Sequence, residues 1–387
     1  MGRMLIKDTA LNIDPLEFMN KSEKIPLRLI HETNPRKYFP ALFLLEKEGK
    51  IELQGEHRYS VVKEWFRAAI RDRRPFLKRT KNSFKDLILR FQIPFIKEEN
   101  ILFGFAPWDW RLIYLLPLLR KNKIIYHTSW PDWKNVPNRY AFLTPLVQKL
   151  WTYFLSHPNV NIVSLTKVVA DSLKEETTNQ STIISHSVPS VFYKARDQAK
   201  KEQSNILKLL YVGEVSEKKG IPMLLDLAKS LQDHPIHFTI IGDGQLREEC
   251  IEASKIAAVD FRGPIYNRSE LAAVMADHDI LLLLSQRTGT WREFFGIVII
   301  EALAAGLGVI ATTHIGPMRI FADKNCGNLF QEHDSRGIRD RLIELSHDSE
   351  KLEHFKSSQV DIAEQYHINS VAAKWFELLN NDRFFQA

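Results

Sequence analysis

Three glycine-containing segments carry the residues best suited to chemistry. In YVGEVSEKKGI, Gly213 and Gly220 flank a turn that holds Lys218 and Lys219, two ammonium groups placed to meet an anion. Without further context the same pair reads equally as solvated lysines in a loop. In IIGDGQL, Gly242 and Gly244 permit a tight turn and a close backbone approach, a weak signal by itself. The third segment, SQRTGTWREFFGIVIIEALAAG, puts Glu293 ahead of a helix that begins near Gly296, with Glu301 eight residues further on. A helix starting there would turn its free N–H groups and positive dipole end toward a phosphate-like anion. Along one continuous helix, eight residues advance about 80° beyond two full turns, so the two carboxylates converge only if Glu293 lies on the loop.

These segments need a frame that brings their ends together. Strand-like apolar runs begin at Leu207, His237, Val259, Asp279, Gly308 and Gly327. Between them lie helical stretches: IPMLLDLAKSLQD, with Leu224, Leu225, Ala228 and Leu231 in helical spacing, and others from about Gln245, Ser269 and Gly296. Continuous apolar strands alternating with helices predict a parallel sheet covered on both faces, a doubly wound α/β domain over 207–365. The N-terminal half repeats the pattern in IPLRLIHET, KIELQGEH, NILFGFAPWD, KIIYHTSW, VNIVSLT and STIISHSVP, with helical stretches such as WRLIYLLPLLRKN and LTKVVADSLKEE. It predicts a second α/β domain over 1–195. The polar run YKARDQAKKEQSN supplies a linker, placed at 196–206. A C-terminal helix in 366–387, with Val371, Ala372, Trp375, Leu378 and Leu379 on one face, is expected to pack back on the N-terminal domain. In an open parallel sheet ligands bind beyond the carboxyl ends of the strands, and all three chemical segments are strand exits.

The bulk properties bound the function. The 387 residues are 44% hydrophobic and 26% charged, which excludes wholesale disorder, collagen and coiled coil. Cys250 and Cys326 are too few for a disulfide framework, and a reducing cytosol is the expected home. No apolar run approaches the roughly 18 residues of a spanning helix, and acidic residues stand in the N-terminus where a signal peptide would need an apolar stretch. The net charge of +6 is concentrated: Arg67 to Arg90 holds nine Lys/Arg against two Asp, a local +7 that leaves the other 363 residues near −1.

In combination, EFFGIVIIEALAAG with its two glutamates, YVGEVSEKKG, IIGDG, FRG and LAAVMADHDILLLLS resemble, in order and spacing, the retaining GT-B glycosyltransferases of family 4, over about Leu207 to Leu379. The resemblance implies that Glu301 binds the ribose hydroxyls of a nucleotide-sugar donor and that Glu293 orients the donor sugar. It implies that Phe294, Phe295 and Gly296 offer backbone N–H groups to sugar or phosphate. Lys219, beside Lys218 and the Gly213 turn, would neutralise the donor diphosphate, and a positioned cation there favours departure of the nucleoside diphosphate in the transition state. Ile265, after FRGP, matches the region that touches the base. With protein cations in that role, neither metal nor other cofactor is expected.

The N-terminal half resembles the family less closely. His127, at the exit of IIYHTSW, matches a cleft histidine that contacts the donor sugar; a lone histidine there also reads as ordinary packing. Trp108, Asp109 and Trp110 in FAPWDW read either as an acceptor-side sugar platform or as a packed tryptophan loop. Two departures stand out. Glu214 occupies the place where the family usually carries an arginine, and HETNPRKYF lacks the family's glycine pair. Arg287, Arg292 or Arg319 is expected to replace the missing cation.

In SFKDLILRF, Phe84, Leu87, Ile88 and Phe91 form an apolar helical stripe beside Lys81, Lys85 and Arg90, following RDRRPFLKR. Over residues 67–91 this reads as a peripheral anionic-membrane element, each cation worth about 1 kcal/mol near anionic lipid, or as a core-packed helix with a solvated basic face. No motif for nucleic acid accompanies it. The expectation is a cytoplasmic GT-B enzyme, peripheral on the membrane, moving sugar from a nucleotide-sugar to a glycan or lipid-linked acceptor for cell-surface polysaccharide or glycoconjugate synthesis. The alternatives are a non-catalytic GT-B subunit that binds a partner glycosyltransferase or glycan, and a sugar-nucleotide epimerase or phosphorylase on the same fold.

Overall fold

The computed structural model describes residues 24–32, 34–61, 65–66, 76–134, 141–199, 205–255, 258–289, 291–322 and 328–381. It contains two six-stranded parallel sheets. The first is built from β1 (Ile25–His31), β2 (Ile51–Arg58), β3 (Asn100–Gly104), β4 (Lys123–Thr128), β5 (Val160–Ser164) and β6 (Ser181–Ile183), in the order β2-β1-β3-β4-β5-β6. The second holds β7 (Leu207–Glu214), β8 (Ile236–Asp243), β9 (Val259–Gly263), β10 (Ile280–Leu283), β11 (Gly308–Thr312) and β12 (Leu329–Phe330), in the order β12-β11-β10-β7-β8-β9. Strands β3, β4, β5, β10 and β11 are buried at every position, which is why they read as unbroken apolar runs. In each sheet the direction of winding reverses once, between β1 and β3 and between β7 and β10. Those two crevices are where a doubly wound sheet takes its ligand.

Helices cover both faces of each sheet. An aromatic core of Phe103, Tyr126, Trp133, Trp151 and Phe154 fills one side of the first sheet. On its other side Leu27, Leu29, Phe39 and Leu42 meet Val371, Trp375 and Leu379 of the C-terminal helix Ile368–Asn380, so the tail crosses back to the N-terminal domain. Lys123 Nζ donates to the carbonyls of Leu378 and Asn381, at 3.1 and 2.9 Å, a cation on the helix's carbonyl end.

Three segments differ from their sequence reading for identifiable reasons. WRLIYLLPLLR is helical but of the 3₁₀ type, with Pro117 inside it; proline has no N–H for an α-helical bond and blocks the regular turn. The linker read from the polar run Tyr193–Asn205 begins later than its composition suggests: Ser190–Gln198 is a helix anchored by buried Phe192 and Tyr193, whose hydroxyl donates to the Ala363 carbonyl at 2.7 Å. Residues 200–204 lie outside the described residues.

The third is the basic segment. Residues 67–75 lie outside the described residues, as do the side chains of 76–82. The helix Phe76–Gln92 docks through Asp86 and Leu89, with Ile93 just beyond its end, at i, i+3 and i+7. Asp86 accepts the Arg58 N–H at 2.9 Å, and Arg90 Nη2 donates to the Tyr59 carbonyl at 2.6 Å. These polar anchors fix the helix rotation and leave the apolar stripe outward, with Phe84 61% and Phe91 72% exposed. The core-packed reading of that stripe is therefore replaced by a solvent-facing one.

Candidate functional site

The C-terminal crevice brings the sequence's chemical segments together. After β7 the chain makes a tight turn, Glu217–Lys219, closed by Gly220 at φ +78°. A Cβ on Gly220 would lie 1.9 Å from the Leu284 carbonyl oxygen, so only glycine lets this turn rest on the end of β10. The Gln286 N–H donates to the Lys218 carbonyl at 2.9 Å and ties the turn to the β10 exit. The result is that Lys219 Nζ reaches Glu293 Oε2 at 2.5 Å, with the Ser285 hydroxyl 3.3 Å from the same oxygen.

Glu293 does lie on the loop, as convergence with Glu301 requires. Glu301 sits in the helix Ile297–Ala304, buried, and its Oε1 is held by the guanidinium of Arg268 at the start of the helix Arg268–Ala276. Burial pushes the Glu301 carboxyl up, and the Arg268 charge and hydrogen bond oppose that. Gly296 precedes the helix at φ +74°, Phe295 is buried behind it and Phe294 is half exposed. Ile265 packs against the domain core beyond β9.

Two residues missed in the sequence complete this wall. His314, fully buried, accepts the Glu293 backbone N–H on Nδ1 at 3.1 Å, which leaves Nε2–H to donate to the Ser285 carbonyl at 2.9 Å. Burial lowers its pKa, consistent with that neutral tautomer. Trp291 lies with its ring centroid 4.8 Å from Lys219 Nζ and 5.6 Å from Lys218 Nζ. Neither residue carries a local sequence signal: His314 acts through contacts made only when β10 and β11 lie side by side, and Trp291 through contacts made only when β7 and β10 do.

The remaining cations are placed as follows. Lys218 pairs with Glu214 at 3.0 Å, so the carboxylate that departs from the family pattern neutralises a neighbouring lysine. Arg287 pairs with Glu332 at 2.6 Å. Arg292 Nη1 donates to the carbonyls of Gly289 and Trp291 in its own loop. Arg319, in the helix Ile315–Ile320, has its pKa lowered by burial and opposed by the charge of Asp171.

The N-terminal crevice faces this wall. A cavity of about 220 Å³ lies at the ends of β1, β3 and β4, lined among others by His31, Glu32, Tyr38, His127, Trp130 and His186. His127 is buried, its ring edge-to-face with Phe39 at 4.8 Å and 6.3 Å from His186. His186 meets Phe295 of the other domain edge-to-face at 4.9 Å. Burial holds both imidazoles neutral: His127 titrates well below the ordinary range, and His186 is lowered to about 4. His31 and His186 escaped the sequence reading because a single histidine at a strand exit or in a crossover has no spacing to announce it.

The FAPWDW loop reaches the cavity through Phe105, Ala106 and Pro107. Trp108 packs against Trp133 and Trp151, with ring centroids 5.6 and 6.0 Å apart. Asp109 caps the following 3₁₀ helix through the Arg111 N–H at 2.9 Å and pairs with the Arg111 guanidinium, so both residues are engaged within their own domain.

Comparison with known proteins matches residues 193–359 to the family described as glycosyl transferases group 1. An uncharacterised glycosyltransferase of Methanocaldococcus jannaschii is 25% identical over 205 residues, 51% of this chain and 54% of that protein. The lipopolysaccharide glucosyltransferase WaaG of Escherichia coli is 31% identical over 135 residues, 34% of each chain. The chain thus spans about half or less of the length of these curated relatives. Among solved structures, Anabaena HepE in complex with UDP superposes with a TM-score of 0.61 at 15% identity, covering 92% of this chain and 99% of that one. This chain has the two-domain Rossmann-like GT-B architecture.

Proposed function

We propose, for a chain whose residues 193–359 match the family described as glycosyl transferases group 1, that it moves a sugar from a nucleotide-sugar to a glycan or lipid-linked acceptor with retention of anomeric configuration. The observation that carries this reading is the contact of Lys219 with Glu293 at the crevice of one sheet, whose neighbouring loop residue Phe295 meets His186, beside His127, at the crevice of the other. One relative is a lipopolysaccharide glucosyltransferase and a structural neighbour is complexed with UDP, which supports a nucleotide-sugar donor and a role in cell-surface glycoconjugate synthesis.

In this mechanism the free oxygen of Glu301 accepts from the ribose while Arg268 holds the other carboxylate oxygen. Glu293, fixed from behind by His314, orients the sugar hydroxyls. The bond from the anomeric carbon to phosphate oxygen breaks, and the nucleoside diphosphate leaves toward Lys219. The acceptor hydroxyl adds to the same face, its proton passing to the departing phosphate oxygen. Lys219 exchanges its bond to Glu293 for the phosphate, so the charge it supplies grows as the leaving group departs. His127, held neutral, serves as a hydrogen-bonding wall for the sugar. Protein cations supply the positive charge, with no metal ion in the proposed step.

The outward stripe of Phe84, Leu87, Ile88 and Phe91, with Phe95 beside it, supports peripheral attachment to an anionic membrane on the cytoplasmic face. Among the described residues no helix is long and apolar enough to cross a bilayer.

The test is a thermal-shift panel of nucleotide-sugars on the full chain, in which the true donor raises Tm by mass action. Glu301→Gln should abolish that shift; a panel that leaves Tm unchanged throughout would overturn the reading. The pairing of Glu214 with Lys218 favours one rival, a non-catalytic GT-B subunit that retains donor binding. Nucleoside diphosphate release in the presence of acceptor lipids separates the two.

A further inference from the structure

Lys218 and Lys219 are held in two different ways. Each meets a carboxylate, Glu214 at 3.0 Å and Glu293 at 2.5 Å, and an ion pair cancels at a distance the charge it holds. Each also meets a neutral partner, the indole of Trp291, whose ring centroid lies 5.6 Å from Lys218 Nζ and 4.8 Å from Lys219 Nζ. An aromatic face attracts a cation through its quadrupole and carries no net charge, so an ammonium held this way keeps its charge toward an incoming anion.

The loop that carries Trp291 is bonded so as to fix the ring's position. It leaves β10 through Gln286, whose N–H donates to the Lys218 carbonyl at 2.9 Å, so the loop and the lysine turn are joined at their base. Arg287 anchors it on Glu332 at 2.6 Å. The Trp291 N–H then folds back to the Thr288 carbonyl at 2.9 Å, past Gly289 at φ +56°. Arg292 Nη1 donates to the Gly289 and Trp291 carbonyls at 2.9 and 2.8 Å. Held by these bonds, the half-buried indole reaches both lysines and stands 6.0 Å from the His314 imidazole.

We infer that Trp291 is a positioning residue for the donor diphosphate: it steadies Lys218 and Lys219 without neutralising them, and it keeps hold of Lys219 while that ammonium exchanges Glu293 for phosphate. The same exchange frees Glu293 for the sugar. The assignment rests on the nucleotide-sugar reading given above. A Trp291 that only packed on His314 would support the loop and leave diphosphate affinity untouched.

Calorimetric titration of the full chain with UDP, GDP and ADP, each beside its parent nucleoside, tests the assignment. Trp291→Leu keeps an apolar side chain on the loop but removes the π face; it should weaken whichever diphosphate binds by roughly two- to fivefold, the range of an aromatic–ammonium contact at a partly exposed site. It should leave the nucleoside unchanged, and Trp291→Phe, which retains a π face, should recover most of the loss. In a Lys219→Met background the leucine substitution should cost less than it does in wild type, because the nearer ammonium is gone. Unchanged diphosphate affinity in Trp291→Leu, an equal loss for the nucleoside, equal losses in the leucine and phenylalanine variants, or a loss undiminished in Lys219→Met overturns the assignment while leaving the donor reading intact. If wild type binds none of the three diphosphates, the donor reading itself falls, and the role of Trp291 with it.

Discussion

His314 is the residue through which the fold holds Glu293, and its contribution divides cleanly between two bonds. Nδ1 accepts the Glu293 N–H, whereas the Ser285 carbonyl that Nε2 serves also receives the Thr312 hydroxyl at 2.6 Å. Replacing His314 by phenylalanine fills the space but orphans the Glu293 N–H, a cost of about 1–3 kcal/mol for an unsatisfied buried donor. The loss at Ser285 should be smaller, since one partner remains. His314→Asn puts an acceptor where Nδ1 stood, and should recover most of the stability and the donor KM; His314→Gln can restore only the Nε2 side and should behave like phenylalanine. Urea unfolding and donor kinetics on the three variants decide the matter. Equal losses in His314→Phe and His314→Asn would refute the claim that this bond positions Glu293.

The same bond has a pH sign. Burial is the largest influence on His314 and depresses its pKa, with Glu332, 3.5 Å from Nε2, opposing. A histidine depressed in the folded state contributes stability that is fully present above its unfolded pKa of about 6.5 and is lost as pH falls through the folded value. On protonation Nδ1 becomes a donor facing the Glu293 N–H. The stability difference between wild type and His314→Asn should therefore shrink in acid.

Two further predictions concern the cleft and the outer face. His186, lowered to about 4 by burial with added repulsion from His31 and Lys37, should contribute stability above pH 6.5 that has fallen by about 2 kcal/mol at pH 5; urea unfolding of wild type and His186→Gln at the two pH values reads it, and parallel pH slopes would contradict it. Phe84→Ser with Phe91→Ser should change urea stability by no more than about 0.5 kcal/mol per site, because both rings are exposed, yet reduce flotation with anionic vesicles; wild type that fails to float at low salt removes the membrane proposal.

The site's legibility followed the range of the interactions involved. Glu293, Glu301 and Lys219 could be named because each stands beside local punctuation: a glycine turn, a strand end or a helix start. His127 was nameable from its strand exit. Trp108 and Asp109 shared that kind of position, but local composition does not show that Trp133 and Trp151 take up one and Arg111 the other. The stripe of Phe84, Leu87, Ile88 and Phe91 was legible as a periodicity, but its direction was not: Asp86 and Arg90, bonded to a strand end about 30 residues away, turn the helix so that the stripe faces outward.

By itself the sequence determined two parallel sheets, their alternation with helices and the strand exits where ligands would meet the chain, because period and punctuation are local properties of a polymer with fixed backbone geometry. The tertiary structure decided which charges remain available. Arg268 and Arg287 acquire carboxylate partners from distant segments, and His314 and Trp291 close around Glu293 and Lys219. Charge pairing depends on distance in space, and chain order does not encode it when the partners lie on different strands or in different domains.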